Sequence, residues 1–315
     1  LPTAPPYRAD QQLRQPDRRE TTRPAARAVQ AVESANEPEP PKPLQRTPRT
    51  AWAALAIVVV AVAGGVWVAA SPNAIQVLKS GLQQAAAIGS RAGGDTATAD
   101  LDARWQRIAF WPVIKREFPD WYGDRLRETA AFTRENRPPS EITKSIADQL
   151  IALRRQNAAL ALSASTPRLK ALAAAFLDNL KQLKARSTQA CFSFISQGEG
   201  TPGVAELLQV AESQPTGLQL QVAAIFEAIA EGRKSPVEHA KPQKADYDAL
   251  MDQLAKLGWS QTDVATFADP RALARAEPAK VCQMVQDWFV AHIALPDEGS
   301  QERLLGETLR PVVSG

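Results

Sequence analysis

Three regimes of hydrophobic patterning divide the chain. In the first fifty residues hardly an apolar side chain exceeds Val in size. Positions 51–70 hold no polar side chain except two Trp indoles. From about residue 103 onward apolar positions recur at spacings of three and four. The last regime is the signature of helices that bury one face. Ser140 opens a run whose apolar members are Ile142, Ile146, Leu150, Leu153 and Leu160, with Asn157 in the same seam. Thr166-Pro167 supplies an N-cap and a first-turn proline for a second run: Leu169, Ala173, Phe176, Leu180 and Leu183. Two such helices joined by a short link predict an antiparallel αα-hairpin from Ser140 to Arg186.

Further helices are expected at Val204–Glu212, at Leu218–Glu231 (Val222, Ile225, Phe226 and Ile229 inward) and at Tyr247–Leu257, ended by Gly258. Ser260 caps a short helix through Phe267, with Asp263 completing a capping box. Val281, Val285, Trp288 and Phe289 share one face of the next, which stops at Pro296, and Leu304, Leu305 and Leu309 mark the last. The only strand-like alternation is Cys191-Phe192-Ser193-Phe194-Ile195. The expected fold class is therefore all-α: a single transmembrane helix followed by a multi-helix soluble domain containing the hairpin.

The transmembrane reading comes from the middle regime. No charged residue occurs between Thr50 and Lys79. About twenty residues at 1.5 Å each cover a hydrocarbon core of about 30 Å. Trp52 and Trp67 lie near the two ends, where amphipathic rings favour the headgroup region. Gly64-Gly65 lets another helix approach closely and makes a homodimer conceivable. Val68-Ala69-Ala70 has the small residues of a signal-peptidase site, but the apolar run is long for an h-region and a polar tail of fifty residues precedes that run, so an uncleaved signal anchor fits better. Lys42, Arg46 and Arg49 crowd the N-terminal side, whereas Lys79 and Arg91 on the other side are soon opposed by Asp95, Asp100 and Asp102. The positive-inside rule then places the tail in the cytoplasm and the C-terminal domain in the periplasm of an inner membrane.

The resulting organisation is a disordered Pro/Arg-rich tail at 1–50, a signal anchor at 51–71, a helical stem and flexible linker at 72–102, and a helical domain at 103–315. The tail holds ten prolines, and Glu37–Pro43 favours a polyproline spacer. The tail's nine basic and six acidic side chains account for the whole net charge of +3, so the remainder is neutral. A neutral domain argues against nucleic acid as the principal partner. The bilayer and an envelope protein are the expected partners. Abundant Ala and a preference for Arg over Lys resemble the composition of bacterial proteins from GC-rich genomes. Since the sequence begins at Leu1, an upstream cytoplasmic module would turn the chain into a transmembrane sensor.

Candidate chemistry is sparse. Cys191 and Cys282 are the only cysteines, and both fall beyond the span. An oxidising compartment favours a bridge between them over two buried free thiols. His239, in the polar run Pro236–Pro242, is expected in a solvated loop, and His292 shares a helix with Trp288. Neither has ligand spacing, so no metal site is expected, and no cofactor motif is present. The aromatic group Trp105, Phe110, Trp111, Phe118, Trp121 and Tyr122 reads as the core of short helices around Pro112 and Pro119.

Ala211-Glu212-Ser213-Gln214 followed by Gly217-Leu218-Gln219 resembles the Glu-Ser and Gly-Leu elements of lytic transglycosylases. That resemblance implies Glu212 as a general acid on peptidoglycan. It covers only these residues. The spacing is shorter than the family's, and the family's later aromatic motifs are not evident. The preferred reading is a non-enzymatic interaction or scaffold module, with the enzyme and the sensor as alternatives.

Overall fold

The computed structural model describes residues 94–198, 207–209 and 214–315. Every regular element among these residues is a helix. In chain order they are α1 (Gly94–Trp105), α2 (Trp111–Glu117), α3 (Pro119–Arg134), α4 (Pro139–Gln156), α5 (Ala158–Leu162), α6 (Thr166–Arg186) and α7 (Thr188–Gln197). After residue 214 come α8 (Gly217–Lys234), α9 (Lys244–Lys256), α10 (Gln261–Ala268), α11 (Pro270–Arg275), α12 (Pro278–Ile293), α13 (Glu298–Thr308) and α14 (Arg310–Ser314). No helix among the described residues is long and apolar enough to cross a membrane. The 51–71 segment, with Trp52, Gly64, Gly65 and Trp67, lies outside the described residues, as do Lys42, Arg46 and Arg49.

Local chemistry starts these helices. Pro stands in the first two positions of α2, α3, α4, α6, α11, α12 and α14, where its missing N–H costs no hydrogen bond. Pro112 and Pro119 therefore open helices rather than interrupt them. Thr216 with Gln219, and Ser260 with Asp263, form reciprocal capping boxes on α8 and α10. The period-two alternation at Cys191–Ile195 is helical: the Ser187 hydroxyl caps α7 by accepting from the Ala190 N–H at 3.0 Å. Helix α1 begins at Gly94, inside the stretch expected to be a flexible linker to 102. Leu101 and Trp105 pack it onto the core, and it lies against α3.

Helix α8 is the centre of the domain. It packs against α5, α6 and α2, and Ile225, Phe226, Ala228 and Ile229 are wholly buried. Two glycines permit the close approach. A Cβ on Gly232 would fall onto the carbonyl oxygen of Leu160, with the carbonyl carbon 2.9 Å away. A Cβ on Gly217 would stand 2.8 Å from the Asn179 Cα on α6. Between these points the buried Asn179 donates to Gln221 at 2.8 Å, tying α6 to α8. Around this centre, α12 packs on α6, α7, α9 and α13.

The expected hairpin from Ser140 to Arg186 is corrected by this packing. Helix α4 buries Ile146, Leu150 and Leu153, but its neighbours are α3, α5 and α14. The principal partners of α6 are α8, α7 and α12. The cause lies in the link. The Asn157 side chain donates to the Leu153 carbonyl at 2.7 Å where α4 ends, and the short α5 redirects the chain before α6 begins. The face of α6 that a hairpin would give to α4 is taken by α8.

Candidate functional site

Polar and aromatic side chains meet where α1 enters the domain. The Trp105 and Trp111 rings stack at 4.1 Å, and Tyr122 meets both edge-on at 5.5 and 5.7 Å. Phe110 and Trp111 are wholly buried, Trp105 and Tyr122 nearly so, while Phe118 and Trp121 reach the surface. The cluster is core at its centre, with Phe118 covered by the Arg233 guanidinium at 4.2 Å and Trp121 beneath Arg125 at 5.7 Å.

A polar clasp closes this cluster. The Tyr122 hydroxyl donates to Asp102 Oδ1 at 2.6 Å and accepts from Gln106 Nε2 at 2.7 Å. Lys115 Nζ donates to both Asp102 oxygens at 2.9 and 2.7 Å. Burial and the adjacent Asp102 carboxylate push the Tyr122 phenol well above its ordinary range. Burial works against the Asp102 charge, but hydrogen bonds from Lys115 and Tyr122 outweigh it and hold the carboxyl below its usual value. A phenol held in that state does not serve as a base near neutral pH, and its hydroxyl is already paired as donor and acceptor. The arrangement joins α1, α2 and α3. The sequence carried one sign of it: Asp102 and Gln106 stand four apart, the spacing that puts two side chains on one helix face.

The cysteines form a disulfide between α7 and α12, with Cα atoms 6.0 Å apart, inside the usual range for such a bridge. Both residues are fully buried, and Gln286 Nε2 approaches the Cys282 and Cys191 sulfurs at 3.2 and 3.9 Å.

His239 departs from the solvated loop expected for it. Its side chain is only 8% exposed, with Nδ1 2.9 Å from Glu302 Oε1 and Nε2 2.7 Å from the Ala164 carbonyl oxygen. With the Val237 N–H donating to the Ser163 carbonyl at 2.8 Å, it straps the 235–243 connection over the α5–α6 link and onto α13. His292 is fully enclosed against Trp288 and Phe289. A carbonyl only accepts, so the 2.7 Å contact with the Trp288 oxygen places the proton on Nδ1. Nε2 then accepts from the Thr308 hydroxyl at 2.8 Å. Burial draws the His292 imidazole down to about 4.

Glu212 lies outside the described residues. Ala211 and Ser213 lie outside them too, and of its other companions Gly217 and Gln219 have structural roles. Gly217 makes the close contact with α6. Gln219, almost wholly buried, caps α8 through its Oε1, and its Nε2 donates to the Leu207 and Gln209 carbonyls at 3.0 and 2.7 Å. The charged site that spacing alone did not reveal is the Asp246–Arg303 pair. Arg303 Nε and Nη2 donate to the two Asp246 oxygens at 2.7 and 2.6 Å, and Ser300 and the Gln243 N–H also donate there. Led by the Arg303 hydrogen bonds, these donors hold the buried Asp246 carboxyl far below its ordinary value. Among the described residues no group of three or more His, Cys, Asp or Glu is placed to hold a metal ion.

Comparison with protein-family models, curated proteins and solved structures finds no match for this chain.

Proposed function

We propose that the chain is a single-pass membrane-anchored envelope protein. Its N-terminal tail is cytoplasmic, and its helical domain is presented outside the cytoplasm as a non-enzymatic interaction or scaffold module. One observation carries the reading: a helical domain closed by a buried disulfide stands downstream of a twenty-residue run without a charge. A bridge spanning 91 positions persists in an oxidising compartment, and the uncharged run with Lys42, Arg46 and Arg49 before it delivers the domain to such a compartment. The two features are chemically independent and agree on one topology.

The interaction role is supported by how the polar clusters are used. The Asp102–Tyr122–Lys115 clasp, the Asp246–Arg303 pair and the His292–Thr308 bond each join helices to one another. The partner is an envelope protein or a second copy of this chain, reached through helix faces.

Spheroplasts expressing the full chain with a small epitope at each end test the topology. Added protease should remove the C-terminal epitope and leave the N-terminal one, and alkaline carbonate should leave the chain in the membrane pellet. Protection of the C-terminal epitope, or release by carbonate, contradicts the proposal. Glu212→Gln separates the enzymatic alternative: a peptidoglycan-cleaving enzyme loses its cellular phenotype with this change, and an interaction module retains it.

A further inference from the structure

We propose that α7 is a covalently latched flap, and that breaking the Cys191–Cys282 bond frees this helix while the rest of the domain stays folded. The sequence of α7, Thr188–Gln197, contains no charged residue. Cys191 is wholly enclosed and Phe194 is 9% exposed; Phe192 and Ile195 are partly covered. Phe194 reaches Phe176 on α6 at 6.2 Å, and Phe176 in turn meets Phe289 on α12 at 4.6 Å. Its other side-chain bonds stay local: Gln189 donates to Ser193, Ser196 to the Ser193 carbonyl, and Ser187 caps the helix. Among the described residues, the only hydrogen bond that reaches an α7 side chain from another element is the 3.9 Å approach of Gln286 to the Cys191 sulfur.

Both ends of α7 are built as breaks. Ser187 is extended (φ −166°, ψ 146°) between two helices that otherwise follow one another directly. Gly198 closes the other end with φ +54°, a conformation favourable to glycine and rare for other residues. Between these breaks the helix is a separate piece, held by its packing on α6 and α12 and by one covalent bond.

The sulfurs are fully enclosed, so opening of the flap precedes any exchange at the bond. A dithiol then acts in two steps. Its thiolate attacks one protein sulfur, forming a mixed disulfide and releasing the other cysteine as a thiolate. Its second thiol then attacks the reductant's own sulfur in that mixed bond and expels the remaining cysteine. Two electrons pass to the protein, leaving two cysteine thiols and the reductant as a cyclic disulfide. With the latch broken, α7 departs and uncovers the apolar seam of α6 and α12 at Phe176 and Phe289. The device concerns the folded domain itself and stands whatever compartment holds it.

Native-state exchange on the purified, oxidised full chain in detergent tests this. Dithiothreitol is added across a series of sub-denaturing urea concentrations, and released thiols are alkylated and counted by mass spectrometry. A local flap gives a release rate almost independent of urea, because little surface is exposed on opening. A rate that climbs with the slope of global unfolding overturns the proposal, since the bond then opens only with the whole domain. The Cys191→Ala/Cys282→Ala double variant is read by hydrogen exchange. The amides of α7 should lose protection while those of α6, α8 and α12 keep theirs, with new chymotrypsin cleavage at Phe192 or Phe194. Retained protection in α7, or loss throughout the domain, contradicts the latch.

Discussion

Acid should weaken this domain through one residue, His292, in a pH window where the strongly held carboxylates are still silent. The imidazole is fully buried, its Nδ1–H is given to the Trp288 carbonyl and its Nε2 accepts from Thr308, so a second proton would place a charge in the enclosed core. Burial lowers its pKa from 6.5 to about 4. In the unfolded chain the same group titrates near 6.5. As pH falls through 6.5 the unfolded state gains a proton that the native state refuses, and stability declines by about 1.4 kcal/mol per pH unit. The decline ends near pH 4, where the native histidine also protonates, so the total loss is about 3 kcal/mol. Carboxylates act lower. Asp263, drawn down to about 2 by Lys280 and Ser260, contributes stability that is full above its unfolded value of 3.8 and is lost as pH falls further. Asp246 follows the same sign.

The assay is urea denaturation at intervals from pH 7.5 to 4.5, comparing the wild-type chain with His292→Gln. Gln keeps a donor and an acceptor but has no titration. Whatever the variant loses at pH 7.5, the gap between the two proteins should close by about 2 to 3 kcal/mol on approaching pH 4.5. Curves that stay parallel across this range refute the argument that His292 is held neutral by its enclosure.

Three further outcomes follow from the packing. Gly232→Ala places a methyl group on the Leu160 carbonyl, and α8 must shift away from α5. Overpacking of about 1–3 kcal/mol, increased by the rigid backbone contact, exceeds the gain of about 1 kcal/mol in helix propensity. A fall in melting temperature is expected by calorimetry, and an unchanged or higher value contradicts the close approach. Asp246→Asn leaves Arg303 without its bidentate partner between α9 and α13, and urea denaturation should show a loss of about 2–4 kcal/mol at neutral pH. Tyr122→Phe removes the hydroxyl that joins Asp102 and Gln106, and costs about 1 kcal/mol. Hydrogen exchange should show α1 opening earlier while α8 is unaffected.

How far the sequence discloses this structure depends on the range of each interaction. Helix starts rest on neighbours in the chain, so Ser260 with Asp263, and the inward face Val222, Ile225, Phe226 and Ile229, could be read directly. Helix pairing depends on contacts remote in sequence. The seam at Ile146, Leu150 and Leu153 says that α4 is buried on one side but not against what. The deciding signals are small: Asn157 turning the chain out of α4, and Gly217 allowing α8 to take the place beside α6 that α4 would fill in a hairpin. The polar run around His239 points to solvent, yet both of its partners, Ala164 and Glu302, lie more than sixty residues away. The Asp246–Arg303 pair is hidden for the same reason, since no local pattern links an N-terminal-turn aspartate to an arginine four helices further on.

The redox state of the two cysteines in living cells tests the central claim most directly. Because both sulfurs are enclosed, cells expressing the full chain are quenched in acid, the protein is denatured, and a polyethylene-glycol maleimide is added with and without prior reduction. A domain presented outside the cytoplasm should show no mass shift before reduction and a shift of two adducts after it. Two adducts without reduction would place the cysteines in a reducing compartment and contradict the proposed topology.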